Sequence, residues 1–115
     1  MEVKGDDYQV LYNHLETCIY CQGSLRLAGT EEYAPIVKVL EYVIEQAPQN
    51  ITLNLRQLEF LNSSGINVLS KFVIKVRQKE KINITVQGSE IIPWQGKSLK
   101  NLQRLMPALK LEWLS

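Results

Sequence analysis

The sequence predicts an α/β domain: a mixed β-sheet of four to five strands, an N-terminal hairpin, and about three helices packed on the sheet. Three observations carry this. Two strand patterns open the chain with only a short turn between them, which is a hairpin. Helix and strand patterns then alternate to the end, which places helices on a partly parallel sheet. Finally, 115 residues with a formal charge of +1 suit a single domain, residues 1–115, that buries its own core.

Taken in order, residues 8–13 and 17–27 read as the hairpin strands, with His14, Leu15 and Glu16 as the turn. Gly29, Thr30, Glu31 and Glu32 open a helical region, with acids placed to complement the helix dipole. Pro35 is tolerated only in a first turn, so the regular helix is expected to start just before it. Ile36, Val37, Val39, Leu40, Val43, Ile44 and Ala47 form its apolar face, and Pro48 ends it. Ile51, Leu53 and Leu55 alternate with Thr52, Asn54 and Arg56 as a central strand over 51–55. Ile66, Leu69, Phe72, Val73 and Val76 give a second helix over 64–78. Residues 81–87 alternate as a strand, 97–105 as a shorter helix and 109–114 as a last strand. The central strand and its successor, joined through a helix, are expected to pair parallel by a right-handed crossover.

The junction between central strand and second helix carries the chemistry. Asn62, Ser63 and Ser64 are cap-favouring residues, since a short side-chain oxygen accepts from a first-turn N–H. Gly65 allows a tight turn and leaves the backbone open to approach, so substitution there is expected to impair recognition more than stability. The first N–H groups of a helix lack internal partners and the dipole is positive there, which favours an anion. A serine at this point either caps the helix and nothing more, or receives a phosphate of roughly −1.5 to −2 charge.

Leu53-Asn54-Leu55 and Phe60-Leu61-Asn62-Ser63-Ser64-Gly65-Ile66-Asn67-Val68-Leu69 resemble the signature of STAS domains, especially the anti-sigma factor antagonists. Those have an apolar strand, then Asp-Ser-Ser-Gly or Asp-Ser-Thr-Gly, then an amphipathic helix. The resemblance implies a STAS-like fold and a non-enzymatic regulator that switches between partners. It makes Ser63 the phospho-acceptor, and Asn62, Ser63, Ser64, Gly65, Ile66 and Asn67 the partner-binding stretch. It also implies a partner protein kinase or anti-sigma factor bound in the unphosphorylated state, and a cognate phosphatase; the ATP belongs to the kinase, so no cofactor is expected. Asn62 stands where the family has Asp. A related set of bacterial phosphoproteins that regulate diguanylate cyclases has Asn before Thr-Ser, and this chain is similar to that branch too. Alternative readings are therefore a modulator of such a signalling enzyme, or a ligand-binding or scaffold STAS module in which Ser63 only caps.

Other constellations carry less. Cys18 and Cys21 have C-x-x-C spacing but lie in a strand pattern, where residues three apart point to opposite faces, and no further ligands stand near except His14. They are expected to be structural, with no metal and no disulfide. Gly96-Lys97-Ser98 lacks the glycine five residues earlier that a phosphate-binding loop needs; Ile91 is there. Trp94, Gln95 and Lys97 in that segment are candidates for a partner-facing surface. Lys71, Lys75, Arg77, Lys79 and Lys81 either complement a helix C-terminus or attract an acidic partner. No catalytic set is recognisable. Near-neutral charge points away from nucleic acid and anionic membranes, and the polar N-terminus carries no leader pattern, so a cytoplasmic protein is expected.

Overall fold

A computed structural model describes residues 1–114. The order of elements is β1 (Glu2–Lys4), β2 (Tyr8–Asn13), β3 (Cys18–Leu25), α1 (Gly29–Glu45), β4 (Asn50–Leu61), α2 (Ser63–Lys79), β5 (Asn83–Ser89), α3 (Gln95–Leu105) and β6 (Lys110–Leu114). The strands form one six-stranded sheet in sequence order. β1, β2 and β3 are antiparallel neighbours; β3 to β6 run parallel. The expected α/β class, hairpin and parallel crossover are all present.

Three successive parallel crossovers each lead to the next strand in line, and the helices that make them pack on one another on one side of the sheet. α1 lies over β1 and β2, α3 over β5 and β6, and α2 touches both other helices. The covered side holds the core, including Val10, Ile19, Leu53, Val86 and the helix residues Val43, Phe72, Val73 and Leu99. Among the described residues the other side carries no helix. One of its rows across all six strands reads Glu2, Leu11, Tyr20, Asn54, Gln87 and Glu112. Mostly polar side chains suit a sheet face that meets water. No helix among the described residues is long and apolar enough to cross a membrane.

Four departures from the sequence reading have physical causes. β1 adds a sixth strand: Val3 is its only apolar residue, and what holds it is the antiparallel ladder to β2. α1 begins at Gly29, six residues before Pro35 rather than just ahead of it. Pro35 is exposed on the outer face, where water can satisfy the Glu31 carbonyl that loses its donor. β4 runs past Leu55 to Leu61. Its pairing to β3 slips between Tyr20 and Gln22 and again between Gly23 and Ser24. Each slip adds one residue on β4, as in a β-bulge. Lastly, α3 starts at Gln95 rather than Lys97.

Candidate functional site

β4 ends on Leu61 and α2 begins on Ser63, so the polypeptide turns from strand to helix through one residue, Asn62. That residue is extended, at φ −79° and ψ 176°, as an N-cap must be. Every polar group of Asn62 is used. Its N–H donates to the Leu25 carbonyl at 3.1 Å, and its own carbonyl accepts from the Ile66 N–H at 2.9 Å. The side-chain Oδ1 accepts from the Gly65 N–H at 2.9 Å and from the Tyr33 hydroxyl at 2.7 Å, while Nδ2 donates to the Leu27 carbonyl at 2.9 Å. The cap therefore ties together β3, the β3–α1 loop, α1 and α2. Tyr33 is 1% exposed, and burial raises its phenol above the ordinary value, so at neutral pH it is a donor.

This cap consumes the Gly65 and Ile66 N–H groups and leaves those of Ser63 and Ser64, the first two of α2, without a partner among the described residues. Ser63 is exposed, Ser64 half-buried and Asn67, one turn on, exposed. These three make the outward surface of the junction. With the N-cap role filled by Asn62, Ser63 is not needed as a cap, and its hydroxyl stands free beside two unpaired N–H donors and the positive end of α2.

Asn62, Gly65 and Ile66 belong to the same stretch but face the other way. Asn62 is spent on the network, and Ile66 packs on the core. Gly65 is buried, which corrects its expected role as an open approach to a partner. A Cβ there would lie 2.2 Å from Leu61 Cδ1 and 2.7 Å from the Tyr33 hydroxyl. The absent side chain lets α2 close onto β4 and Tyr33.

The network explains why an amide occupies the cap. With Asn62→Asp, the second carboxylate oxygen would replace an amide donor opposite the Leu27 carbonyl. That loss is on the order of 1–3 kcal/mol, against about 0.3–1 kcal/mol gained from an acid at a helix N-terminus. Asn62→Asp is therefore expected to lower stability at neutral pH. The facing Leu27 carbonyl pushes the pKa of the introduced carboxyl up, while the Gly65 N–H, the Tyr33 hydroxyl and the helix dipole push it down. With the repulsion the larger effect, as in the comparison above, the folded-state value lies above the unfolded value of about 3.9. The deficit should then be smallest below that value, where the protonated form can donate, and should grow as pH rises. Urea midpoints of both proteins across pH check this; a deficit that shrinks as pH rises would contradict the assigned amide orientation.

The second proposed surface does not hold together. Lys97 is exposed and Trp94 half-buried, but Gln95 is fully buried and unavailable to a partner. Its Nε2 donates to the Leu55 and Leu58 carbonyls at 2.6 and 3.1 Å, and its Oε1 accepts from the Ser89 N–H at 2.7 Å. Trp94 Nε1 also donates to the Leu58 carbonyl, at 3.0 Å. The basic cluster divides as well. Arg77 reaches the Leu105 carbonyl at the end of α3, whereas Lys71 and Lys75 turn toward α1.

Cys18 and Cys21 are buried and unpaired. They sit at non-equivalent places in the ladder, opposite Asn13 and Val10, on the two faces of β3. Burial pushes the Cys21 thiol up to about 12 and raises that of Cys18, so both are protonated thiols at neutral pH.

A groove missed from sequence lies beside the junction, between α1 and α2. It encloses about 400 Å³ and runs from Gly29, Thr30 and Ser64 at one end to Ile44 and Lys75 at the other. The two helices that line it were legible; their packing distance was not.

No family model and no curated protein matches the sequence. Solved structures do match in shape. A chain in the crystal structure of the diguanylate cyclase SiaD with its activator SiaC, from Pseudomonas aeruginosa, superposes with a TM-score of 0.75 at 10% identity, over 99% of both chains. Apo-SiaC from the same organism gives 0.74 at 9% identity, over 100% of this chain and 98% of that one. An anti-sigma factor antagonist from Mycobacterium paratuberculosis gives 0.60 at 17% identity, over 96% of this chain and 82% of that one. The chain thus has the STAS-like fold that the junction motif implies, and shares it with SiaC and with that antagonist.

Proposed function

We propose that this chain is a non-enzymatic regulatory domain that acts by binding a signalling protein, and that phosphorylation of Ser63 weakens the binding. One observation carries the reading: Asn62 holds the cap, so Ser63 is left exposed with two free N–H donors beside it. A phosphate there meets a positive helix end and needs no rearrangement. The same dianion, brought into a packed contact with a partner, is unfavourable unless paired. The contact surface is read as Ser63, Ser64 and Asn67 on a frame set by Asn62, Tyr33 and Leu27.

Two kinds of partner suit the fold: a switch kinase or anti-sigma factor, and a signalling enzyme such as a diguanylate cyclase. Asn62 in place of Asp, and the end-to-end likeness to SiaC, favour the second. A phosphatase completes the cycle in either case.

The mass of the protein purified from its native host tests the switch. One phosphoryl group is expected on the wild type and on Ser64→Ala, and none on Ser63→Ala. Equal phosphate on Ser63→Ala would remove the assignment. Ser63→Glu is further expected to weaken binding to whichever host diguanylate cyclase or switch kinase binds the wild type, by about 1.4 kcal/mol or more, a tenfold change. Ser63→Ala should keep that binding. The fold should survive, because an acid at this helix end is favourable by about 0.3–1 kcal/mol. Titration calorimetry reads both variants, and undiminished binding by Ser63→Glu would end the switch model.

A further inference from the structure

The groove between α1 and α2 has an apolar floor and a basic rim. Leu40, Ile44 and Phe72 form the floor. Val37 and Val68, both half-buried, form the walls. On the rim stand Lys38, Lys71 and Lys75 against a single acid, Glu41. That acid is already engaged: its carboxylate meets Lys75 Nζ at 3.3 Å across the mouth, and both side chains are close to half exposed. Lys38 and Lys71 have no carboxylate partner among the described residues.

We propose that this groove receives an acidic amphipathic helix of the partner, its apolar stripe on the Leu40–Phe72 floor and its carboxylates on Lys38, Lys71 and Lys75. This rests on the reading of the chain as a partner-binding regulator, and gives that partner a chemistry. Dimensions support a helix. From Gly29 to Ile44 the lining of α1 spans about 22 Å at 1.5 Å per residue, the length of four helical turns. A helix laid in a groove anchors through residues three and four apart, which matches an apolar trough of that length. The spacing of the cations argues against a fatty acid. Such a ligand carries one charge at one end, whereas Lys71 and Lys75 are a helical turn apart and Lys38 faces them from the opposite wall. The Glu41–Lys75 pair shows that the rim accepts a carboxylate, and being exposed and screened it can exchange for one from outside.

The groove also joins the switch to the contact. Ser64 and Asn67 line its end, and Ser63 is the residue before Ser64. A phosphate on Ser63 would put a dianion at the mouth of a trough selected for acidic residues, and like charges there oppose docking.

A phage-displayed library of helix-biased peptides of about 16 residues, long enough for the groove, tests the inference on the purified, unphosphorylated full chain. Val37→Glu, which puts an acid on the apolar wall, serves as counter-selection. Enriched peptides are expected to carry apolar residues at helical spacing and a net negative charge. Lys71→Glu combined with Lys75→Glu should weaken the best peptide by roughly tenfold or more, with the loss shrinking in high salt. Lys110→Glu, far away on β6, should leave it unchanged. No enrichment, enrichment of basic or uncharged peptides, binding that survives both groove variants, or palmitate bound in place of peptide would each overturn the proposal. Ser63→Glu reads the switch separately. If it binds the peptide as tightly as wild type, the phosphorylation reading fails while the groove assignment stands.

Discussion

Gly65→Val should cost the protein a large part of its stability, on the order of 4 kcal/mol, and Gly65→Ala about 1–3 kcal/mol. Even a methyl at this position would lie 2.2 Å from Leu61 Cδ1 and 2.7 Å from the Tyr33 hydroxyl, inside contact distance of both. Neither neighbour yields easily. Leu61 is 4% exposed, so its methyl can move only by displacing other core atoms. The Tyr33 hydroxyl is held to Asn62 at 2.7 Å, and moving it breaks the cap. The gain in helix propensity on replacing glycine, about 1 kcal/mol for alanine, offsets part of the smaller substitution and less of the β-branched one. Against a typical total of about 5–15 kcal/mol, Gly65→Val should shift the urea midpoint far, while Ser64→Ala next to it should barely move it. Equal midpoints for Gly65→Val and Ser64→Ala would mean that the helix start relaxes freely. In that event, a loss of partner binding by Gly65→Val would again point to recognition, as the motif alone suggested.

The burial of Gly65 illustrates what a sequence can and cannot disclose here. Position along the chain was legible. β2 occupies Tyr8–Asn13 as its pattern indicates, and the start of α2 falls at Ser63, one residue before the expected start at Ser64. These features are local: they depend on side chains two to four residues apart. The cap network is not local. Tyr33 and Asn62 are 29 residues apart, and Asn62 and Leu27 are 35 apart. Nothing near Asn62 in sequence says that its amide will meet a carbonyl, so the choice of Asn over Asp could be noticed but not explained. The exposed Ser63 follows from the same network, because it is Asn62 that relieves the serine of the capping role.

β4 shows a different failure. Its buried residues run Ile51, Leu53 and Leu55 at period two, then Leu58 and Leu61 at period three. Period three matches neither a strand nor a helix, so the pattern stops being readable at Leu55. The two added residues on β4 restore the sense once the bulges are known: each resets which face the next side chain meets. The same irregularity hid the role of Gln95. A glutamine between a tryptophan and a glycine reads as surface, and the carbonyls that demand its amide are Leu55 and Leu58, 40 and 37 residues earlier.

Gln95→Leu is accordingly expected to destabilise the domain by on the order of 3 kcal/mol. β4 and β5 pair only from Asn50–Asn83 as far as Asn54–Gln87. Beyond that point the strands part, and Gln95 fills the gap, donating to β4 at Leu55 and Leu58 and accepting from β5 at Ser89. Leucine fills a similar volume and makes none of these bonds. The Leu58 carbonyl keeps Trp94 Nε1 at 3.0 Å, but the Leu55 carbonyl and the Ser89 N–H lose their side-chain partner in a site sealed from water. Each buried group left unpaired costs about 1–3 kcal/mol. Burying an apolar side chain instead of an amide recovers up to about 2 kcal/mol, too little to offset two losses at the upper end of that range. Ser89 supplies the local readout: its amide hydrogen should exchange much faster in Gln95→Leu, while the amide of Val86, inside the paired region, should slow or quicken only with global stability. Unchanged stability together with unchanged Ser89 exchange would show that the strand gap closes without the glutamine. The parting of β4 from β5, which sets the bulged approach to Asn62 and Ser63, would then be held by the bulges alone.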